Sequence, residues 1–282
     1  MQVLTHLLTA RPLTYRNQDL EHNMKIEIIS SQISDNTFYL LADDDGDNGL
    51  LIDPVDSNSA LKRAEDLGVK ITTVLNTHWH PDHVKGNGAV IEATGAKLLI
   101  PDEESGQISG GGRGLVAGDV VTVGTTRLEV LSTPGHTAGH ISLLSKGHLF
   151  CGDTIFIGGA GNCRFGGDPS VLFRTFQKLA KLPGDTLIYP GHDYAIRNLE
   201  FCLSLEGDNA AAKEQLRRAK TIKGLVQTRL AEELIYSPFF RTGEAKLQQL
   251  LKERAPEVWG AVESDDPSEK AFVTIRTLRN TW

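Results

Sequence analysis

A chain of 282 residues with 40% hydrophobic content and a formal net charge of −7 has room for one large globular domain with an appendage. The acidic balance argues against general nucleic-acid binding, which needs a concentrated basic face, while leaving room for a local basic pocket. No apolar stretch approaches membrane-spanning length, and three cysteines without a Cys-x-x-Cys pair fit a reducing, cytoplasmic setting.

Residues 1–23 read as an extension ahead of the first strand, Met24-Lys25-Ile26-Glu27-Ile28-Ile29. With Arg11, Arg16, several hydroxyl residues and no acid before Asp19, they weakly resemble an organelle-targeting signal, and an upstream start or a poorly ordered leader is preferred. Asp43-Asp44-Asp45-Gly46-Asp47 lacks the glutamate that a calcium loop needs at fixed spacing, so it reads as a solvated hairpin turn. Helical patterning covers 57–67, and a strand at Thr73-Val74-Leu75-Asn76 then runs into Thr77-His78-Trp79-His80-Pro81-Asp82-His83. In an extended segment residues i and i+2 share a side, so His78 and His80 can grip one ion together. Asp82 and His83 follow where the chain turns and can face a second. Imidazole and carboxylate donors at this density suit zinc, iron or manganese better than calcium or magnesium.

A helix is expected at 83–94. Three further apolar runs then end in glycine-rich turns bearing ligand-type residues. Leu128-Glu129-Val130-Leu131 leads to Pro134-Gly135-His136 and on to His140. His148-Leu149-Phe150-Cys151 leads to Gly152-Asp153-Thr154, and Thr186-Leu187-Ile188-Tyr189 leads to Pro190-Gly191-His192-Asp193-Tyr194. Strand-end turns are where scaffolds place catalytic groups. A helix is expected at 169–182. The strands divide into one group before His136 and one after it, as two stacked sheets with outer helices would require. Helix formers dominate 199–206, 209–220, 225–235, 246–254 and 268–278. Cys151 and Cys202 read as buried small hydrophobes, Cys163 as a candidate reactive thiol, and His148 as a solvated turn residue.

The order His-x-His-x-Asp-His, then His, Asp and His, resembles that of the metallo-β-lactamase superfamily, and within it the glyoxalase II (hydroxyacylglutathione hydrolase) family. The resemblance extends through Asn209-Ala210-Ala211, Leu230-Ala231-Glu232-Glu233, Ser237-Pro238-Phe239 and Ile275-Arg276-Thr277-Leu278-Arg279. It implies an α+β protein: an αββα sandwich over 24–198, followed by a helical substrate-binding domain over 199–282. It implies two divalent metal ions, zinc by preference and iron or manganese as alternatives. One would be held by His78, His80 and His136, the other by Asp82, His83 and His192, with Asp153 bridging. His140, by the same resemblance, is a hydrogen-bonding residue and not a ligand.

The implied chemistry is attack of a metal-shared hydroxide on a thioester carbonyl, with Asp153 fixing the metal spacing and Asp82 orienting the water. The implied substrate is S-D-lactoylglutathione or a related acylated thiol, bound by Tyr194, Arg164 and Arg279, in a monomer or homodimer with no nucleic-acid or membrane partner. The chain departs from the family pattern at two places. Trp282 stands where a basic residue is expected, and the loop Gly159-Ala160-Gly161-Asn162-Cys163-Arg164-Phe165-Gly166-Gly167-Asp168 has a shifted register. Three other readings stay open: a mononuclear-iron persulfide dioxygenase, a lactonase or other ester hydrolase, and a non-catalytic metal-binding protein.

Overall fold

In the computed structural model, which describes residues 24–282, apolar runs buried on both faces set the architecture; the expectations for 1–23 lie outside the described residues. The chain begins β1 (Lys25–Ser30), β2 (Thr37–Ala42) and β3 (Gly49–Ile52). It continues through α1 (Ser57–Leu67), β4 (Ile71–Leu75), α2 (Pro81–Val84), α3 (Asn87–Thr94), β5 (Lys97–Pro101) and β6 (Arg113–Leu115). These six strands form one sheet in sequence order, antiparallel as far as β3 and parallel from there. Every residue of β2 is buried, so its side chains alternate between two apolar clusters instead of between core and water. Phe38 and Leu40 pack toward α1 and α3, while Tyr39 and Leu41 face the second sheet.

The second sheet draws on β7 (Val120–Val123), β8 (Thr126–Ser132), β9 (Ile141–Ser145) and β10 (His148–Gly152). A small hairpin, β11 (Ile155–Phe156) and β12 (Gly159–Ala160), precedes α4 (Pro169–Leu179) and β13 (Leu187–Pro190). Then follow α5 (Ala195–Leu205), α6 (Ala210–Thr221), β14 (Thr228–Arg229), α7 (Leu230–Tyr236), α8 (Ala245–Arg254), α9 (Pro256–Ala261) and α10 (Pro267–Arg279). The sheet order is β14-β13-β10-β9-β8-β7. Leu128, Val130, Leu143 and Phe150 of this sheet meet Leu41, Leu50 and Ile52 of the first, closing an αββα sandwich. On its outer face Leu149, Cys151 and Ile188 share one apolar cluster with α4 and with Leu247, Phe272 and Ile275 of the C-terminal helices. Each fully buried side chain of this size stabilises by about 1.5–3 kcal/mol. Among the described residues no helix is long and apolar enough to cross a membrane.

Several elements differ from their sequence expectation. The sheets do not divide at His136, because the β7–β8 hairpin already belongs to the second sheet and pairs with β9. The helix expected at 83–94 is broken into α2 and α3 at Lys85 and Gly86, and Gly86 packs so close to the Pro54 carbonyl that a Cβ would overlap it. At 225–235, Thr228 and Arg229 pair with Ile188 and Leu187 as an edge strand, and the helix starts only at Leu230. The helix expected from 199 begins at Ala195, so it spans the 198/199 boundary, and α9 was not anticipated.

Main-chain hydrogen bonds also join the sheets where their ends meet. Thr37 N donates to Gly191 O at 2.8 Å, and Ile141 N donates to Thr77 O at 2.9 Å.

Candidate metal centre

The loop after β4 is held by two acids that the sequence reading did not single out. Asp53 follows β3 with a φ of 55°, a region non-glycine residues rarely adopt. Its Oδ1 accepts from Thr77 N at 2.8 Å and its Oδ2 from Thr77 Oγ1 at 2.6 Å. The buried Glu104 accepts from Trp79 N at 2.8 Å and from Gly139 N at 2.9 Å. One carboxylate thus ties the His78–His80 segment to the turn carrying His136. An acid closing an apolar run, as in Leu51-Ile52-Asp53-Pro54, was the only sequence signal for Asp53.

His78 Nε2 lies 3.1 Å and His136 Nε2 2.9 Å from His80 Nδ1, so three imidazole nitrogens converge. Their outer nitrogens each face an oxygen. His78 Nδ1 is 3.0 Å from Thr77 Oγ1, His80 Nε2 is 3.0 Å from Phe165 O, and His136 Nδ1 is 2.6 Å from Asn162 O. Donation outward leaves the inner lone pairs free for a cation. Burial pushes His78 well below the ordinary histidine range, and it takes His136 down to about 4 despite the opposing charge of Asp153. Neutral imidazoles are what a metal needs.

The second group is Asp82, His83 and His192, whose ligating atoms lie within 4.8 Å of one another. Asp82 Oδ2 is 3.3 Å from His192 Nε2 and 3.8 Å from His83 Nε2. Asp153 faces both groups: Oδ1 lies 3.4 Å from His83 Nε2, and Oδ2 lies 3.5 Å from His136 Nε2 and 3.4 Å from His192 Nε2. Behind them, His83 Nδ1 meets Asp53 Oδ2 at 3.1 Å, and Asn36 Nδ2 donates to Asp82 O at 2.9 Å. Burial would lower both histidines, but Asp153 outweighs it, raising His83 well above its usual value and His192 to about 9. Burial would raise Asp82 and Asp153; the facing histidines instead hold both well below the usual carboxylate range.

His83 Nε2 and Asp153 Oδ1 are buried without a hydrogen-bond partner. Each such orphan costs about 1–3 kcal/mol unless another group satisfies it. At Gly191 a Cβ would overlap both Asp153 Oδ1 and His83 Cε1, so the space in front of them is kept open by a missing side chain. Orphaned donors, neutral imidazoles and paired carboxylates together fit divalent metal.

His140, also buried, is engaged in hydrogen bonds as expected: Nδ1 lies 3.0 Å from Thr133 Oγ1 and 3.1 Å from Thr154 Oγ1, and Nε2 accepts from Asp153 N at 3.2 Å. His148 is not solvated; it is half-buried, with Nδ1 2.9 Å from the Tyr189 hydroxyl. Cys151 and Cys202 are buried. Burial pushes the Cys163 thiol up to about 12 against the nearby Arg276, which works against the thiolate that a reactive cysteine needs.

Tyr194, Arg164 and Arg279 line one cavity of about 230 Å³, together with Phe165, Arg197 and Arg276. Tyr194 stacks on His192, with centroids 4.8 Å apart, and the Phe165 ring meets His80 edge-on at 6.3 Å. The cavity therefore abuts both ligand groups. Arg279 donates to Asn198 Oδ1 at 3.1 Å, and Trp282 lies against it at 5.7 Å. Arg197 reaches the Trp282 carbonyl at 3.2 Å.

Residues 34–192 match the family model described as metallo-beta-lactamase superfamily, and residues 193–282 match that described as hydroxyacylglutathione hydrolase C-terminus. A hydroxyacylglutathione hydrolase of Polaromonas sp. (strain JS666) is 46% identical over 253 residues, covering 86% of this chain and 94% of its own. That of Nitrosococcus oceani is 43% identical over 252 residues, with coverage of 86% and 94%. Among solved structures, ETHE1 from Myxococcus xanthus is similar, with a TM-score of 0.63 and 26% identity over 90% of this chain and 99% of that one.

Proposed function

Because this chain belongs to the metallo-β-lactamase superfamily and, within it, to the hydroxyacylglutathione hydrolases, we propose that it hydrolyses a glutathione thioester, S-D-lactoylglutathione or a close relative. His78, His80 and His136 would hold one metal ion and Asp82, His83 and His192 another, with Asp153 shared between them. Zinc is the preferred metal, and iron or manganese would suit the same donors. Bound there, the ions would supply Lewis acidity for a hydroxide near neutral pH and for the thioester carbonyl.

The chain's own residues do the rest. Asp82, nearly half exposed, holds a carboxylate oxygen 3.3 Å from His192 Nε2 and would orient the attacking water. Arg164 and Arg279 supply positive charge for the thiol carrier's carboxylates, and Tyr194, stacked on His192, packs between carrier and centre. A thiolate leaves without a strong general acid, so no protein proton donor is required at the sulfur. No cysteine nucleophile is needed either, since burial holds Cys151 and Cys163 at about 12.

The observation that carries this reading is Asp153, whose two oxygens face both ligand groups beside a cavity bearing four guanidinium groups. The test is hydrolysis of S-D-lactoylglutathione by the purified protein, with metal content measured on the same sample. Rapid turnover with about two ions per chain is expected, the two-metal arrangement. No turnover at full occupancy would overturn the substrate and direct the search to lactones and other thioesters. A single iron with oxygen uptake on glutathione persulfide would overturn the hydrolase reading.

A further inference from the structure

His140 is fully buried and, among the described residues, belongs to none of the convergent ligand groups. A buried histidine that holds no ion is kept for what its ring nitrogens bond. Its Nε2 accepts from Asp153 N at 3.2 Å, and a main-chain N–H can only donate. Nε2 therefore carries the lone pair and Nδ1 the proton, directed at Thr133 Oγ1, 3.0 Å away, and Thr154 Oγ1, 3.1 Å away. Thr133 Oγ1 in turn lies 2.8 Å from Ser142 Oγ, so the ring is held from both sides.

Asp153 depends on that bond for its direction. The turn Cys151-Gly152-Asp153-Thr154 closes through Thr154 N to Cys151 O at 3.0 Å, and Gly191 N binds Gly152 O at 2.8 Å, which leaves Asp153 N to His140. Gly152 has a φ of 45°, and a Cβ there would overlap His140 Nε2 and Thr77 Oγ1, so the turn lies directly on the ring. From this turn the Asp153 oxygens reach within 3.5 Å of His83, His136 and His192. The main chain of His140 belongs to the turn that carries His136, which its carbonyl closes by accepting from Thr133 N at 2.9 Å. The ring also stacks on His78, with centroids 5.0 Å apart and 27° between the planes. A single imidazole thus spans the turns of His136 and Asp153.

We propose that His140 is a positioning residue of the metal centre: by accepting the Asp153 amide from within the His136 turn, it sets the direction of the carboxylate that faces both ligand groups. The inference rests on the metal reading above, and its test uses no thioester.

Full-length protein is loaded with zinc, and the rate of zinc release to excess chelator is measured for the wild type, His140→Leu and His140→Gln. Glutamine can place an acceptor oxygen where Nε2 stands, and leucine cannot. Loss of an outer-shell partner costs about 10–100-fold in metal affinity, so His140→Leu should release zinc faster by that factor, with His140→Gln close to the wild type. The cobalt-substituted His140→Leu protein should show an altered visible absorption band, which glutamine should restore. Wild-type release and an unchanged band in His140→Leu, with only Tm lowered, would overturn the proposal and make His140 a packing residue. Equal losses in the two variants would overturn it as well, because the acceptor would then not matter. If neither variant folds, the histidine nitrogen NMR spectrum of the zinc-loaded wild type decides. A proton on Nδ1 and none on Nε2 supports the proposal, and a proton on Nε2 overturns it. A wild-type protein that retains no zinc, iron or manganese would sink the metal reading and this inference together, whereas a metal-loaded wild type with an indifferent His140→Leu sinks the inference alone.

Discussion

His78, His80 and His136 meet as three buried imidazoles whose outer nitrogens face a threonine hydroxyl and two main-chain carbonyls. Asp82, His83 and His192 instead combine two buried imidazoles with a carboxylate that is 47% exposed. The first group is made of enclosed imidazoles alone, two of them oriented by carbonyls of the loop at 162–165. The second includes a carboxylate, opens toward solvent, and is braced by the side chains of Asp53 and Asn36. As two metal sites, the groups would accept the same kind of ion by different means, the first by fixed geometry and the second through a partly exposed carboxylate. An ion in the second should exchange more readily.

The residue common to both groups gives the strongest test. Asp153→Asn removes the charge facing His83, His136 and His192, so kcat should fall by about 10³-fold or more and bound metal should drop sharply. Steady-state kinetics with metal analysis checks this; two retained ions and wild-type turnover would refute the shared role. Next, Asp82→Asn should leave about one ion per chain, held in the enclosed site and resistant to chelator, whereas His136→Ala should lose that resistant ion. If both variants lose their metal at one rate, the two sites are not separable. Asp53→Asn weakens the support of His83 Nδ1 and should lower metal affinity by about 10–100-fold, read by competition with a coloured chelator.

The smallest effect on activity is expected at Glu233, on the helical side of the loop. Burial raises its carboxyl from the ordinary 4.5 to about 7, although Tyr236, Gly158 and Thr228 all donate to it. A folded-state value above the unfolded one means that its stabilising contribution is complete below about pH 4.5 and is lost as pH rises through about 7. Wild-type stability should therefore decline across that window, by about 3 kcal/mol for this group. Glu233→Gln should flatten the decline. Denaturant unfolding at pH 5 and pH 8 checks it, and an unchanged slope would count against the assignment.

The convergence of these imidazoles and carboxylates was legible in the sequence because such side chains recur at strand ends, and His78, His80, Asp82 and His83 stand close together in the chain. The α1 helix was legible as well, with Asp56 capping its start and Gly68, at φ 66°, ending it. Asp53, Glu104 and Asn36 were not. Their importance comes from partners 24, 25 and 46 positions away, and local patterning carries no such information. The division of strands between sheets was missed for a related reason. Which sheet a strand joins depends on its pairing, here β8 with β9, and not on its own residues. Arg276 was read only as part of a terminal motif, and its place in the cavity depends on packing between α10 and the β11–β12 hairpin.

The bonds from Thr37 N to Gly191 O and from Ile141 N to Thr77 O lie beneath the ligands and connect backbone of one sheet to backbone of the other. Such amides are released to solvent only when the sheets part. Deuterium should therefore enter these two positions as slowly as the slowest core amides, while the Arg164 loop takes it up early. On heating, the floor of the centre and the sandwich should give way in a single event, and hydrolysis should be lost over the same few degrees in which the protein melts.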